Sequence, residues 1–219
     1  MGRARQRRTP RRIHRQRRQS PQNRQDATTT KPPEQETRRT VVPLRVAVIV
    51  GSTREGRIGG RIAQWFTERA ATRSELSLTV VDLLEFDFPA RYPDRTTQSM
   101  RTFTDMIADA EAFVVVTPEY NRSYPASLKQ AIDFAYDEWQ AKPVAFVSYG
   151  HGSCGLHAVE HLRSVFTELH TVPLRNGVAI NLLDEPMTGR DRSIALMLDQ
   201  LGWWGTALRE ARAVRPYVS

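Results

Sequence analysis

Three runs, LRVAVIV (44–50), AFVVVT (112–117) and PVAFVSY (143–149), are dense in Val and nearly free of charge. A strand with one wet face alternates polar and apolar residues. Continuous runs of this kind are buried on both faces, which calls for a parallel sheet with helices on either side. The segments RIGGRIAQWFTERAAT (57–72), 98–110 and ASLKQAIDFAYDEW (126–139) repeat apolar side chains near every third or fourth position, as helices do. LSLTVVDLL (76–84), VPLRNGVAI (172–180), GLHAVEHLRSVFTEL (155–169) and 191–212 continue the alternation. The predicted fold class is therefore α/β, a doubly wound five-stranded parallel sheet with helices on both faces. Ligands of such sheets bind beyond the carboxyl ends of the strands, where the strand order reverses. That directs attention to the loops after the first, third and fourth strands.

Charge divides the chain in two. Residues 1–40 hold 12 Arg and one Lys against Asp26, Glu34 and Glu36, a net of +10, while the other 179 residues sum to −2. Ile13 is the only large aliphatic residue of that segment besides Met1. So little apolar surface cannot offset chain entropy, and residues 1–42 are expected to be a disordered basic tail ahead of a folded domain at 43–219. The tail could bind nucleic acid through counterion release or be an inert extension. A charge run has no structural specificity, and the second reading is preferred. Its paired arginines are followed by no apolar region of the ~7–15 residues an export signal needs. No apolar run approaches the ~20 residues that span a bilayer, and the single Cys154 excludes an internal disulfide. A cytoplasmic protein is expected.

The first loop, GSTREGRIGG (51–60), places glycines, the hydroxyls of Ser52 and Thr53, and Arg54 and Arg57 at a helix start. Free N–H groups there attract anions, and arginines pair with phosphate oxygens. A capped helix with solvated arginines fits the loop equally well. Two familiar phosphate loops do not fit: Arg57 and Ile58 stand where a P-loop needs Lys-Ser/Thr, and Thr53 breaks G-x-G-x-x-G. The second loop, TPEYNRSYP (117–125), is stiffened by Pro118 and Pro125 and carries Tyr120, Asn121 and Tyr124. It could hydrogen-bond the edge of a planar heterocycle, or it could be a plain turn before a helix. The third, SYGHGSCG (148–155), falls one glycine short of the nucleophile elbow G-x-S-x-G at Ser153, with His151 in that glycine's place. A hydrolase triad also needs an acid and then a histidine later in the chain. The histidines after Ser153 are His157 and His161, in the very next helix, and His170 at its end. The hydrolase stays a remote alternative.

Together, GSTREGRIG, TPEYNRSYPASLKQAIDF and SYGHGSCGLHAVEHLR resemble the NADPH-dependent FMN reductase family, flavodoxin-like flavoproteins that include quinone, azo-dye and chromate reductases. The similarity spans about residues 44–211, and PEYN followed by S-x-P-x-x-L-K-x-A-I-D is its most specific part. The resemblance implies an enzyme that binds FMN, uses NADPH or NADH, and reduces a flavin, quinone, azo compound or metal oxyanion. It implies a phosphate on Ser52, Arg54, Arg57 and the N–H groups of Ile58 and Gly59. It sets the flavin ring against Pro118, Glu119, Tyr120 and Asn121 on one side and Ser148, Tyr149 and Gly150 on the other. No side chain is expected to act as a catalytic residue, and no metal is expected. Dimers or tetramers are implied as well. His151 and Cys154 depart from a familiar form of the third loop, which is richer in glycine. A one-electron carrier of flavodoxin type is the alternative, although carriers are expected to be strongly acidic and this domain is nearly neutral.

Overall fold

In the computed structural model the first four strands stand in the order second, first, third, fourth, which puts the first and third side by side and fixes where a ligand can sit. The structure describes residues 42–184 and 188–218; the tail expectation for 1–41 lies outside the described residues. The elements run β1 (Leu44–Val50), α1 (Gly59–Ala70), β2 (Leu76–Asp82), α2 (Gln98–Asp109), β3 (Ala112–Pro118), α3 (Ala126–Asp133), β4 (Pro143–Gly150), α4 (Leu156–Glu168), β5 (Val172–Pro173), β6 (Val178–Asn181) and α5 (Asp191–Val214). All paired strands are parallel. The flavodoxin-like α/β sheet with helices on both faces is present as expected.

Every residue of β3 and β4 is buried, because alternate side chains enter two separate cores. Val114 and Val116 of β3 pack with α1 and α5, alongside Ile62, Phe66, Met197 and Leu201. Phe113 and Val115 face the other way, toward Phe103 of α2, Leu128 of α3 and Leu162 and Phe166 of α4. β2 lies at the sheet edge and keeps an alternating, partly exposed pattern.

Two boundaries differ from the sequence reading. The fifth strand breaks into β5 and β6, both paired with β4. Between them the chain leaves the ladder, and Arg163 donates from its guanidinium to the carbonyls of Leu174 and Arg175 (2.6 and 2.9 Å). At Gly177 the backbone comes so close to β4 that a Cβ would lie 2.7 Å from the Phe146 carbonyl oxygen. The helix expected over 126–139 ends at Asp133. Trp139, fully buried, turns its Nε1–H back onto the carbonyls of Ile132 and Ala135 and wedges its ring edge-on against Phe113 and Phe166. A continuous helix could not make both the cap and the wedge.

At the opposite end of the sheet from the ligand loops, Lys142 is buried and its Nζ donates to the carbonyls of Ile107 and Ala108 at the end of α2. Burial, followed by the charge of Arg212, pulls its pKa down to about 8. The folded state therefore releases this proton near pH 8, while the unfolded chain holds it until about pH 10.5. With more protons bound to the unfolded state in that window, the contribution of Lys142 to stability rises with pH. The unfolding free energy of the protein minus that of Lys142→Met should climb by a few kcal/mol, at most about 3, between about pH 8 and 10. Urea melts at several pH values check this, and a difference independent of pH would contradict it.

Candidate active site

The loops after β1, β3 and β4 converge on a cleft of about 450 Å³ at the carboxyl end of the sheet, the reversal point of the strand order. Arg54, Glu55, Gly56, Arg57 and Ile58 form one wall, Pro118, Glu119 and Tyr120 a second, and Tyr149, Gly150, His151 and Leu182 the rest. Eight of the residues expected from the sequence are thus brought together: Arg54, Arg57, Ile58, Pro118, Glu119, Tyr120, Tyr149 and Gly150. Ser52, Gly59, Asn121 and Ser148 stand outside the cleft lining, and each has a different surrounding.

Ser52 is fully buried, with its Oγ 2.7 Å from the Tyr120 hydroxyl. In this arrangement its side chain holds the second loop to the first instead of facing the cleft. Gly59 opens α1, where a Cβ would lie 2.9 Å from the Tyr149 hydroxyl and 3.1 Å from Val50 Cγ1. Only glycine lets that phenol rest on the helix start. Ser148 is also buried; its Oγ donates to the Cys154 carbonyl at 2.8 Å and so ties the third loop to its strand. Asn121 is exposed at the tip of the second loop. There Tyr120 and Ser123 exchange two backbone hydrogen bonds of 2.8 and 2.9 Å across Asn121 (φ 49°) and Arg122 (φ 63°), a two-residue turn with both central residues left-handed. Asn accepts that conformation readily; Arg122 is held in it by the rest of the loop.

Arg57 serves a purpose the sequence did not show. Its Nη1 and Nη2 donate to the two oxygens of Asp82, at 2.7 and 2.6 Å, and Nη1 also donates to the Ser52 carbonyl at 3.0 Å. Both side chains are mostly buried, and the hydrogen bond to Asp82 is the main reason the guanidinium pKa is raised. The guanidinium expected to hold a phosphate is thus committed to bracing the first loop against the end of β2. Asp82 in addition accepts from the Leu84 N–H and shapes the turn that follows. The only sequence signal for this partner is an acid that ends the strand directly after two valines, VVD.

The end of the cleft near α1 is rich in donors. The helix begins without a side-chain cap and without an acid in its first turn, so its leading N–H groups are not taken up by a side chain. Arg54 is exposed, with its guanidinium 5.9 Å from the centre of the Tyr120 ring, and no carboxylate pairs with it among the described residues. Burial pushes the Tyr149 phenol well above its ordinary value, so it stays a neutral hydrogen-bond donor at the helix start. The other end is built on strand termini: Pro118 and Tyr149 are register partners across β3 and β4, followed by Gly150. Glu119 donates its N–H to the Tyr149 carbonyl and accepts the His157 N–H at 3.1 Å, locking the second loop to α4. Glu55, Gly56 and Leu182 complete the lining. Leu182 follows a strand the sequence reading did not separate from its neighbour.

The histidines behind the remote hydrolase reading go elsewhere. The His157 N–H serves Glu119, the His161 ring meets Ser123 Oγ at 3.0 Å, and the His170 ring meets the Tyr217 hydroxyl at the far end of the sheet.

The sequence profile of a family described as NADPH-dependent FMN reductase matches residues 44–183. Over 120 residues the chain is 38% identical to an NAD(P)H-dependent FMN reductase of Schizosaccharomyces pombe, covering 49% of this chain and 59% of that protein. It is 35% identical to a 2-hydroxy-1,4-benzoquinone reductase of a Burkholderia species over 140 residues, covering 59% of this chain and 73% of the relative. The chain thus spans less than two thirds of the length of the fission-yeast relative. Among solved structures, the flavoenzyme NAD(P)H:(acceptor) oxidoreductase FerB of Paracoccus denitrificans shares the fold, with a TM-score of 0.63 at 22% identity over 76% of this chain and 98% of that one.

Proposed function

Since the chain belongs to the NADPH-dependent FMN reductase family, we propose that it is an FMN-dependent NAD(P)H oxidoreductase acting on a small acceptor of the quinone or flavin class. The observation that carries this reading is the switch-point cleft, with a donor-rich end at α1 and a second end bordered by Pro118 and Gly150. Its volume lies within the roughly 300–1,000 Å³ of small-molecule sites, and its two ends match a phosphate and a planar ring in chemistry. Bound there, FMN would supply hydride transfer between nicotinamide and acceptor.

The protein's own part is binding and orientation. Arg54 and the leading N–H groups of α1, from Ile58 and Gly59 onward, hold the phosphate, with the Tyr149 phenol beside them as a neutral donor. Pro118, Glu119, Tyr120 and Gly150 border the ring. Asn121 supports it from the tip of the turn, and Ser148 from behind the wall. Ser52 acts one layer back and Arg57 from within the wall, both fastening the loop that carries Arg54. Names of relatives support the acceptor class: 2-hydroxy-1,4-benzoquinone reductase and quinone reductase. Self-association as a dimer or tetramer, and a cytoplasmic setting, belong to the same reading. Exposed Trp203, Leu183 and Tyr92 accord with the former. Sedimentation of a monomer at micromolar concentration would contradict the former.

The test of the site is FMN affinity, read from quenching of flavin fluorescence. Arg54→Ala removes a charge-assisted contact to phosphate and should weaken FMN binding by about 10–100-fold while weakening riboflavin, which lacks the phosphate, far less. Equal losses for the two flavins, or none for either, would contradict this placement.

A further inference from the structure

Beside the cleft, and sharing Ile58 and Leu182 with it, lies a smaller pocket of about 200 Å³. Its apolar surface comes from Ile58, Ile62 and Ile180, and its polar residues are Arg61, Asn181 and Asp184. The polar groups are unequal in what they can still bind. Asn181 is used within the protein: its Oδ1 accepts from the Leu183 N–H and its Nδ2 donates to Asp184. Asp184 also stands 3.5 Å from an Arg190 nitrogen, which offsets its charge. Arg61, in contrast, is exposed on the first turn of α1 with no hydrogen bond or ion pair from its side chain among the described residues. The pocket therefore combines an apolar floor with a cation that has no partner among the described residues. It is below the roughly 300 Å³ at which ligand pockets usually start, which marks it as an extension of the cleft.

We propose that this pocket is the subsite for a phosphate of the pyridine dinucleotide, with Arg61 as the phosphate ligand and Ile58, Ile62 and Ile180 as the apolar floor under the adjoining sugar. The inference rests on the NAD(P)H oxidoreductase reading above and adds a residue that distinguishes between nucleotides. A dinucleotide lying with its nicotinamide in the cleft must lead its phosphates out of it. The way past Ile58 and Leu182 is the one that meets a guanidinium with no partner among the described residues. Arg54 and Arg57 are otherwise engaged, the first at the donor-rich end of the cleft and the second on Asp82. The phosphate could be that of the pyrophosphate or the 2′-phosphate of the adenosine ribose, since both present the oxygens a guanidinium binds.

The experiment is calorimetric titration of the FMN-loaded protein with two non-redox fragments, 5′-ADP and 2′,5′-ADP, for the protein as it is, Arg61→Ala and Arg61→Lys. Arg61→Ala should weaken at least one fragment by about 10–100-fold, the range for a hydrogen bond to a charged group, and Arg61→Lys should restore part of it. An equal loss for both fragments assigns the pyrophosphate. A loss confined to 2′,5′-ADP assigns the 2′-phosphate and predicts a KM for NADPH that rises in Arg61→Ala while that for NADH does not. Unchanged affinity of both fragments in Arg61→Ala overturns the proposal, as does failure of both fragments to bind the unmodified protein. Failure of the oxidoreductase reading would look different: no oxidation of NADPH or NADH with a quinone present, whatever the fragments do.

Discussion

Gly155→Ala is expected to destabilise the protein by about 2–5 kcal/mol and to abolish flavin binding. Gly155 sits at φ 82° immediately before α4, pressed onto the end of β4. A Cβ there would lie 2.7 Å from Ser148 Cβ, 2.8 Å from the Tyr149 nitrogen and 3.1 Å from the Tyr149 oxygen. Two of these three are backbone atoms of a central strand, so the neighbours cannot step aside. The left-handed conformation adds about 1–2 kcal/mol for a residue with a Cβ, and overpacking about 1–3. Relief would have to come from moving the third loop, which carries Gly150 and His151 into the cleft. Gly152→Ala is the control: it too has a positive φ, of 69°, but nothing lies within 4 Å of its Cβ position. Only the conformational part, about 1–2 kcal/mol, remains there. Equal losses for the two variants in urea unfolding would show that the contact with Tyr149 is not what holds the loop.

Asp82→Ala should be nearly as damaging, by about 2–4 kcal/mol, for an electrostatic reason. It leaves the Arg57 guanidinium, whose side chain is only 15% exposed, without its carboxylate. Removing one partner of a buried pair is worth about 3–5 kcal/mol, and partial exposure lowers the expectation here. The Leu84 N–H loses its acceptor as well. Arg57→Ala combined with Asp82→Ala should recover part of the loss, since no charge is then stranded. FMN binding should weaken in both, because the loop carrying Arg54 is no longer fastened to β2. Urea melts of the two single variants and the double variant read the coupling. Strict additivity would contradict the brace.

The contrast between these two positions also shows what was legible in the sequence. Continuous apolar runs could only be strands buried on both faces, and the motif strings located all three loops of the cleft. Arg54, Tyr120, Tyr149 and Gly150 line it because local sequence sets where each strand ends. Arg57 and Asp82, by contrast, lie 25 residues apart, and an arginine reads the same whether it meets a phosphate or a carboxylate. Ser52 poses the same difficulty, its hydroxyl being taken by a tyrosine 68 residues away. The split of the fifth strand hinged on Gly177 meeting the Phe146 carbonyl, a contact between elements that no periodicity encodes. Leu182 is not legible for the same reason: a strand read as ending at 180 leaves no signal in the loop beyond it.

The central claim is that this cleft carries FMN and lets a nicotinamide and an acceptor reach it without a second protein. The most direct measurement is an anaerobic titration of the FMN-loaded protein with NADPH, followed by 1,4-benzoquinone, monitored by the blue absorption of the bound flavin. The account predicts stoichiometric bleaching by NADPH and full recovery on adding the quinone. Absorption that NADPH leaves unchanged, or that stays bleached until a separate reductase or carrier is supplied, would contradict it.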